Sequence, residues 1–153
     1  MAVSDRLREL GIILPQPPSA VAAYVPAVLT GSWCYTAGQL PLKDGVLLAR
    51  GRVGAEVSEE DGYQAARQCA LNAMSAAAAQ AGGVDRIKRV LKVVGFVQSR
   101  DDFHGQPKVV NGASELFEHV FGEAGRHARS AVGTNALPLD AAVEIEVIFE
   151  VGD

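Results

Sequence analysis

The chain has 153 residues, the size of one domain, with 48% hydrophobic and 21% charged residues, a balance typical of globular proteins. Its formal net charge of -4 disfavours nucleic acid as a partner, because proteins that bind nucleic acid usually present a basic face. No apolar run reaches the length of a membrane span, and the charged N-terminus lacks the apolar core of a secretory signal. We therefore expect a cytoplasmic protein that does not enter the membrane.

The two cysteines and three histidines do not form a metal-ligand pattern. Cys34 and Cys69 lie far apart and belong to no CxxC pair, so we expect two reduced core thiols and no bound metal. The glycine pair at residues 82–83 is interpreted as the end of a helix rather than as a phosphate-binding loop.

A short helix and a linker are predicted to precede the main fold. Ser4 is expected to cap a helix over residues 5–11, which ends at Gly11. The proline-rich stretch 14–18 cannot continue that helix and predicts an extended linker. Residues 1–16 are thus interpreted as an N-terminal extension of a single domain that spans residues 1–153.

Three strands are predicted next. Residues 24–31 and 33–38 are rich in β-branched and aromatic side chains and are interrupted by a glycine–serine break. A third strand is predicted over residues 45–51, after a turn at Asp44–Gly45.

Two helices alternate with the remaining strands. Ser58 and the acids that follow it predict the start of a long helix that ends at Gly82, with alanines on its buried stripe. A buried strand is expected over residues 90–98 and an amphipathic helix over residues 106–121. Strands over residues 128–134 and 141–151 complete the chain.

This order, β-β-β-α-β-α-β-β, predicts an α+β domain in which two helices pack on one face of a mixed sheet. The opposite face is left uncovered by helices. Because the strands are rich in apolar side chains, we expect that face to be covered by self-association.

The last strand carries three carboxylates on one face. Glu144, Glu146 and Glu150 alternate with apolar residues, and for Glu146 and Glu150 a solvated charged edge is the simpler interpretation. Glu144 stands near the start of the strand, where a hairpin with the preceding strand would bring it near Arg129. The sequence leaves open whether the two residues form only an ion pair or part of a functional site.

Other combinations of reactive residues carry less weight. Ser130, His127 and Asp140 include the residue types of a catalytic triad, but neighbouring strand residues point to opposite faces, and no nucleophile elbow is present. His104 and His119 are interpreted as surface residues.

Three segments resemble the hallmark segments of the RidA/YjgF family in order and spacing. They are YVPAVLTGSWCYTAGQLP, DFHGQPKVVNGASELFEHVF and ARSAVGTNALPLDAAVEIEVIF, and the resemblance runs from about residue 17 to residue 151. It implies a chorismate-mutase-like fold, a homotrimer with ligand clefts between neighbouring chains, and no cofactor. It also implies hydrolysis of 2-iminopropanoate and 2-iminobutanoate to the 2-keto acid and ammonia.

The resemblance also assigns roles to five positions. The carboxylate-binding arginine of the family falls on Arg129, and its water-orienting glutamate falls on Glu144. The tyrosine near the cleft falls on Tyr24, the tight glycine on Gly38 and the helix asparagine on Asn111. A planar guanidinium binds a carboxylate through two parallel hydrogen bonds, which suits a 2-imino acid as ligand.

Two positions depart from the family pattern. Ala131 stands where many members have a cysteine, and His127 stands where a proline is common. Two alternatives to the deaminase stay open: a non-catalytic trimer that binds a small carboxylate and regulates a partner, and an endoribonuclease, a label that some family members carry.

Overall fold

The computed structural model describes residues 1–19 and 23–153. Its helices are α1 (Val3–Glu9), α2 (Glu59–Ala81) and α3 (Gln106–Phe121). Its strands are β1 (Ala27–Thr30), β2 (Trp33–Thr36), β3 (Leu42–Lys43), β4 (Val46–Leu47), β5 (Ile87–Gln98), β6 (Ala128–Thr134) and β7 (Val143–Val151). Within these residues, no helix combines the length and the apolar character needed to cross a bilayer.

A five-stranded mixed sheet forms the centre of the fold. Its strand order is β1-β2-β7-β5-β6, in which β5 and β6 run parallel and the other neighbours run antiparallel. Helices α2 and α3 pack against each other and against one face of this sheet. The predicted α+β class, the mixed sheet and the single helical face are confirmed.

Helix α2 is held at both ends by the residues that the sequence indicated. The Ser58 hydroxyl accepts a hydrogen bond from the Asp61 N–H (3.1 Å), and Gly82 ends the helix in the left-handed region at φ 92°. Most of its alanines are buried, and the helix packs against both α3 and the sheet. Because alanine is small, the helix axis lies close to both neighbours.

The contact between α2 and α3 depends on Gly112. A Cβ atom at this position would lie 2.0 Å from the carbonyl oxygen of Tyr63 on α2. The backbones of α2 and α3 are therefore in direct contact at Gly112.

Two local predictions were wrong. Helix α1 begins at Val3, so Ser4 lies inside it, and the Ser4 N–H and hydroxyl instead bond the Asp85 carboxylate (2.7 and 2.8 Å). The strand expected over residues 45–51 is reduced to the two-residue β4, which pairs only with β3 around the Asp44–Gly45 turn. Val46 and Leu48 are largely exposed there, so the apolar run does not enter the sheet.

The sheet face opposite the helices carries apolar side chains, as expected, and it also carries the carboxylates of Glu144, Glu146 and Glu150. Cross-strand partners share a face, which places Val28, Tyr35 and Ile148 side by side on it, with Phe96 beside Val132. Val28 and Val132 are 52% and 45% exposed. Exposed apolar side chains of this kind favour association with another surface.

Replacing Gly112 by alanine should destabilise the protein strongly, although alanine is the better helix former. Because the new methyl group would overlap the Tyr63 carbonyl, the helices must separate, at a cost of about 3 kcal/mol or more. Thermal denaturation should show a melting temperature lower by roughly 6–12 °C.

Gly152→Ala is the matched control, since a Cβ atom at Gly152 would meet no atom within 4 Å. Equal melting temperatures for Gly112→Ala and Gly152→Ala would show that the helices are not in close contact.

Candidate functional site

Three of the five predicted site residues line one cavity. Tyr24, Gly38 and Glu144 border a cavity of about 460 Å³. Its other walls come from the linker, the segment that follows Gly38, Asn72 of α2 and Pro138. Tyr24 is 59% exposed, so its ring is available for contact with a ligand.

Gly38 lies directly against the Glu144 side chain. Gln39 and Ile145 exchange backbone hydrogen bonds of 2.8 and 3.0 Å, which hold the strand end beside β7. A Cβ atom on Gly38 would lie 2.8 Å from Cδ and 2.9 Å from Oε2 of Glu144. A side chain at this position would therefore displace the Glu144 carboxylate.

Asn72 fixes the floor of the same cavity. Its Nδ2 donates to the carbonyl oxygens of Leu40 and Leu42 (3.0 and 2.9 Å), and its Oδ1 accepts from Gln68 (3.0 Å). The sequence analysis missed this residue, because a helical asparagine gives no sign of which distant carbonyls it will bond.

The surroundings of Glu144 favour its protonated form. Burial raises the pKa of the Glu144 carboxyl, and the negative charge of Glu146, two residues along the same face of β7, raises this pKa further. No cation pairs with Glu144 among the described residues. A carboxylate of this kind is a better proton acceptor than an exposed one.

The other two predicted residues, Arg129 and Asn111, meet at the opposite edge of the sheet. Arg129 of β6 turns toward α3, where its Nη1 donates to Asn111 Oδ1 (2.8 Å) and Ser114 Oγ (3.1 Å). Its Nη2 donates to the carbonyl oxygen of Pro107 (3.3 Å). All three partners are neutral, so the positive charge of the guanidinium is not cancelled within the described chain.

The Nε side of the guanidinium makes fewer contacts than the Nη1 side. Arginine has five N–H donors, and the three bonds come from Nη1 and Nη2. Among the described residues, no acceptor is bonded to Nε. Nε–H and the Nη2 hydrogen on the same side form the edge of a guanidinium that binds a carboxylate through two parallel bonds.

The predicted hairpin between the strands of Arg129 and Glu144 was wrong. Strand β5 lies between β6 and β7, with Val93 opposite Arg129 and Phe96 opposite Glu144. Two strand spacings and three residues along the sheet separate their Cα atoms by about 14 Å. The side chains also leave the sheet on opposite faces, so one chain does not bring them together.

Two residues around Arg129 were not predicted as part of a site. Ser114 of α3 accepts from the guanidinium, and its hydroxyl also contacts Nε2 of His127 (2.9 Å). The sequence signal for His127 was its departure from the family proline. Ser114 lies three residues after Asn111 and therefore on the same helical face, a spacing that could have identified it.

No group of three or more side chains suited to a metal ion occurs among residues 1–19 and 23–153. The α+β fold therefore presents two candidate half-sites, a cavity with the half-buried carboxylate of Glu144 and the guanidinium of Arg129, which no described carboxylate neutralises.

Comparison with known proteins identifies the family of this fold. A family model described as "YjgF/chorismate mutase-like, putative endoribonuclease" matches residues 4–151. The chain therefore belongs to the YjgF/chorismate-mutase-like family, which confirms the resemblance drawn from the sequence.

Individual relatives extend this result. Protein TCP17 of Trypanosoma cruzi is 43% identical over 152 residues, which cover 99% of this chain and 95% of the relative. A solved structure of a "putative endoribonuclease" from Shewanella oneidensis MR-1 superposes with a TM-score of 0.93 at 32% identity and covers 99% of this chain and 100% of that one. Escherichia coli TdcF with bound serine has a TM-score of 0.64 at 26% identity, with coverage of 90% and 94%.

A titration experiment can test the two causes of the raised Glu144 pKa. Replacing Glu146 by glutamine should lower the pKa of Glu144, because the like charge is removed, but burial should keep it above the ordinary value. Carbon-detected NMR titration of the Glu144 carboxyl measures both values.

Glu150→Gln is the control, since Glu150 is exposed at the far end of the same strand. A Glu144 pKa at or below the ordinary value in the unmodified protein would show that the cavity does not desolvate this carboxyl.

Proposed function

We propose that this protein hydrolyses 2-imino acids to 2-keto acids and ammonia, in clefts formed between neighbouring copies of the chain. The observation that carries the proposal is the Nε edge of Arg129: Nη1 and Nη2 are held by neutral groups of α3, and no described residue accepts from Nε. On this edge Nε–H and the Nη2 hydrogen beside it are two parallel donors. A 2-imino acid offers a carboxylate that fits these two donors.

Glu144 supplies the second requirement of the reaction. The carbon of a C=N bond is already electrophilic, so a water molecule needs orientation and a proton acceptor rather than a covalent nucleophile. The water oxygen bonds to C2 as the second C–N electron pair moves to nitrogen, and Glu144 takes a proton from the water and passes it to that nitrogen. Collapse of the resulting carbinolamine then forms the keto group and releases ammonia: the proton of the new hydroxyl moves to the nitrogen in the same way as the C–N bond breaks. Because Glu144 must be ionised to accept the proton, activity should rise with pH through its raised pKa.

The cleft between copies follows from the separation of the two half-sites. A substrate with only a few atoms cannot span about 14 Å and reach both faces of one sheet. A second copy that docks on the apolar sheet face can place its Arg129 edge over the cavity of the first. The homotrimer implied by the family resemblance provides such an arrangement.

A non-catalytic binding protein is the second candidate. The observation in its favour is that TdcF, a related structure, was solved with bound serine, which is not an imine. Ala131 also leaves the site without the thiol that many family members have beside the arginine. Both candidates need Arg129, but only the enzyme needs Glu144 to act on water.

An RNA-cleaving function, which the family description names, is less well supported. Glu144, Glu146 and Glu150 lie on the exposed face of β7, where they repel phosphates. The formal net charge of -4 acts in the same direction.

One experiment separates the two candidates. We expect Glu144→Gln to lower kcat by about 10²–10⁴-fold, because the basic oxygen is lost, with little change in the Kd for pyruvate. Arg129→Lys should weaken pyruvate binding and lower kcat/KM, because an ammonium cannot replace the planar fork. Ammonia release from enzymatically generated 2-aminoacrylate, and calorimetric titration with pyruvate, measure these quantities.

Glu150→Gln is the matched control for the charge change and should behave as the unmodified protein. If the unmodified protein binds pyruvate but releases ammonia no faster than buffer, the binding protein is the correct function. If Glu144→Gln retains full turnover, Glu144 is not the proton acceptor.

A further inference from the structure

A chain of hydrogen bonds runs behind the carboxylate anchor. Arg129 Nη1 donates to Ser114 Oγ (3.1 Å), Ser114 Oγ contacts His127 Nε2 (2.9 Å), and His127 Nδ1 contacts the carbonyl oxygen of Gly125 (2.7 Å). The three side chains line one shallow concavity beside α3. Glu144 and its cavity do not take part in this series of hydrogen bonds.

The acceptor at the end of this series of hydrogen bonds determines which atom donates in each bond. The carbonyl oxygen of Gly125 only accepts, so His127 carries its proton on Nδ1 and leaves Nε2 as an acceptor. Ser114 therefore donates its single hydrogen to His127, and a lone pair of its oxygen accepts from Arg129. All bonds point the same way, and aligned bonds of this kind strengthen one another.

Packing keeps His127 neutral and in place. Its ring is half-buried and meets the edge of the Phe117 ring at 5.9 Å and 89°. Burial lowers the pKa of His127 and the charge of Arg129 lowers it further, although the bond to Gly125 acts against them. The imidazole is thus uncharged at neutral pH, as the proton arrangement requires.

Without His127, the Ser114 hydroxyl would donate its hydrogen to a different acceptor. A serine inside a helix commonly donates to the carbonyl oxygen one turn earlier, which rotates its oxygen away from other partners. Nε2 of His127 offers a competing acceptor and keeps the Ser114 oxygen turned toward Nη1. Nη1 is then held by Asn111 and Ser114 together, and the guanidinium cannot turn its free edge away.

We propose that Ser114 and His127 are positioning residues, which fix the guanidinium of Arg129 in the orientation that binds a substrate carboxylate. This inference rests on the proposed function in assigning a 2-imino acid as the ligand. It is a property of this chain rather than of the family pattern, because a proline at position 127 has no acceptor to offer Ser114. Neither residue touches the substrate; both act through Arg129.

Paired variants separate positioning from packing. His127→Phe keeps a ring against Phe117 but removes the acceptor, whereas His127→Gln restores an acceptor at the position of Nε2. Ser114→Ala removes the hydroxyl and Ser114→Thr retains it. We expect His127→Phe and Ser114→Ala to raise KM and the pyruvate Kd about five- to tenfold, with kcat within about twofold, because the grip on the carboxylate acts equally in ground and transition states. The Gln and Thr variants should recover most of the affinity.

A double-mutant cycle tests whether the effect passes through the arginine. In an Arg129→Lys background, His127→Phe should change the pyruvate Kd no further, because lysine has no fork to orient. A further loss of the same size in that background would overturn the proposal. Equal losses in His127→Phe and His127→Gln, each matched by a lower melting temperature, would also overturn it, since packing alone would then explain them.

A measurement without ligand keeps this test independent of the proposed function. Nitrogen-15 NMR of the Arg129 side chain reports rotation about the Cζ–Nη1 bond, which we expect to be slow in the unmodified protein and in His127→Gln, and faster in His127→Phe. If the NMR result is as expected but no imino acid is hydrolysed, the proposed function fails and the positioning role stands. If rotation is equally fast in all three proteins, the positioning role fails, whatever the activity.

Discussion

The position of β5 between β6 and β7 determines where the two candidate functional residues, Arg129 and Glu144, lie relative to each other. It separates the strands that carry Arg129 and Glu144, and the alternation of side chains along each strand directs the two residues to opposite faces. Neither residue can then neutralise the other. In the proposed function each chain contributes two incomplete sites, and the apolar side chains on the sheet face opposite the helices favour association with a second copy.

The electrostatics of the two half-sites follow from this separation. Arg129 is held only by neutral groups, the side chains of Asn111 and Ser114 and the carbonyl of Pro107, so its charge is available to an anion. Glu144 is half-buried beside Glu146 and has a raised pKa. An ion pair between Arg129 and Glu144 would have lowered the pKa of Glu144 and occupied the guanidinium. The separation of the two residues is consistent with a site prepared for a ligand.

Much of the fold was predictable because its elements carry local signals. The Ser58 cap, the alanine stripe of α2, the limits of α3 and the alternation in β7 each depend on residues close in sequence. The order of strands in the sheet does not depend on residues close in sequence, since periodicity shows which face of the sheet a residue occupies but not which strand lies beside it. The hairpin between β6 and β7 was wrong for this reason. Ser114 and the Pro107 carbonyl were missed because their role depends on how α3 lies over β6.

The shared cleft is tested most directly by mixing two inactive proteins. Arg129→Ala and Glu144→Gln should each lack activity, and differently tagged copies purified through both tags after co-expression contain both chains. If each site takes its arginine from one chain and its glutamate from a neighbour, every trimer that contains both variants has one intact site out of three. We therefore expect the mixed assembly to recover about one third of the imino-acid hydrolysis of the unmodified protein. Activity of the mixed assembly no higher than that of the separate variants would contradict a site shared between chains.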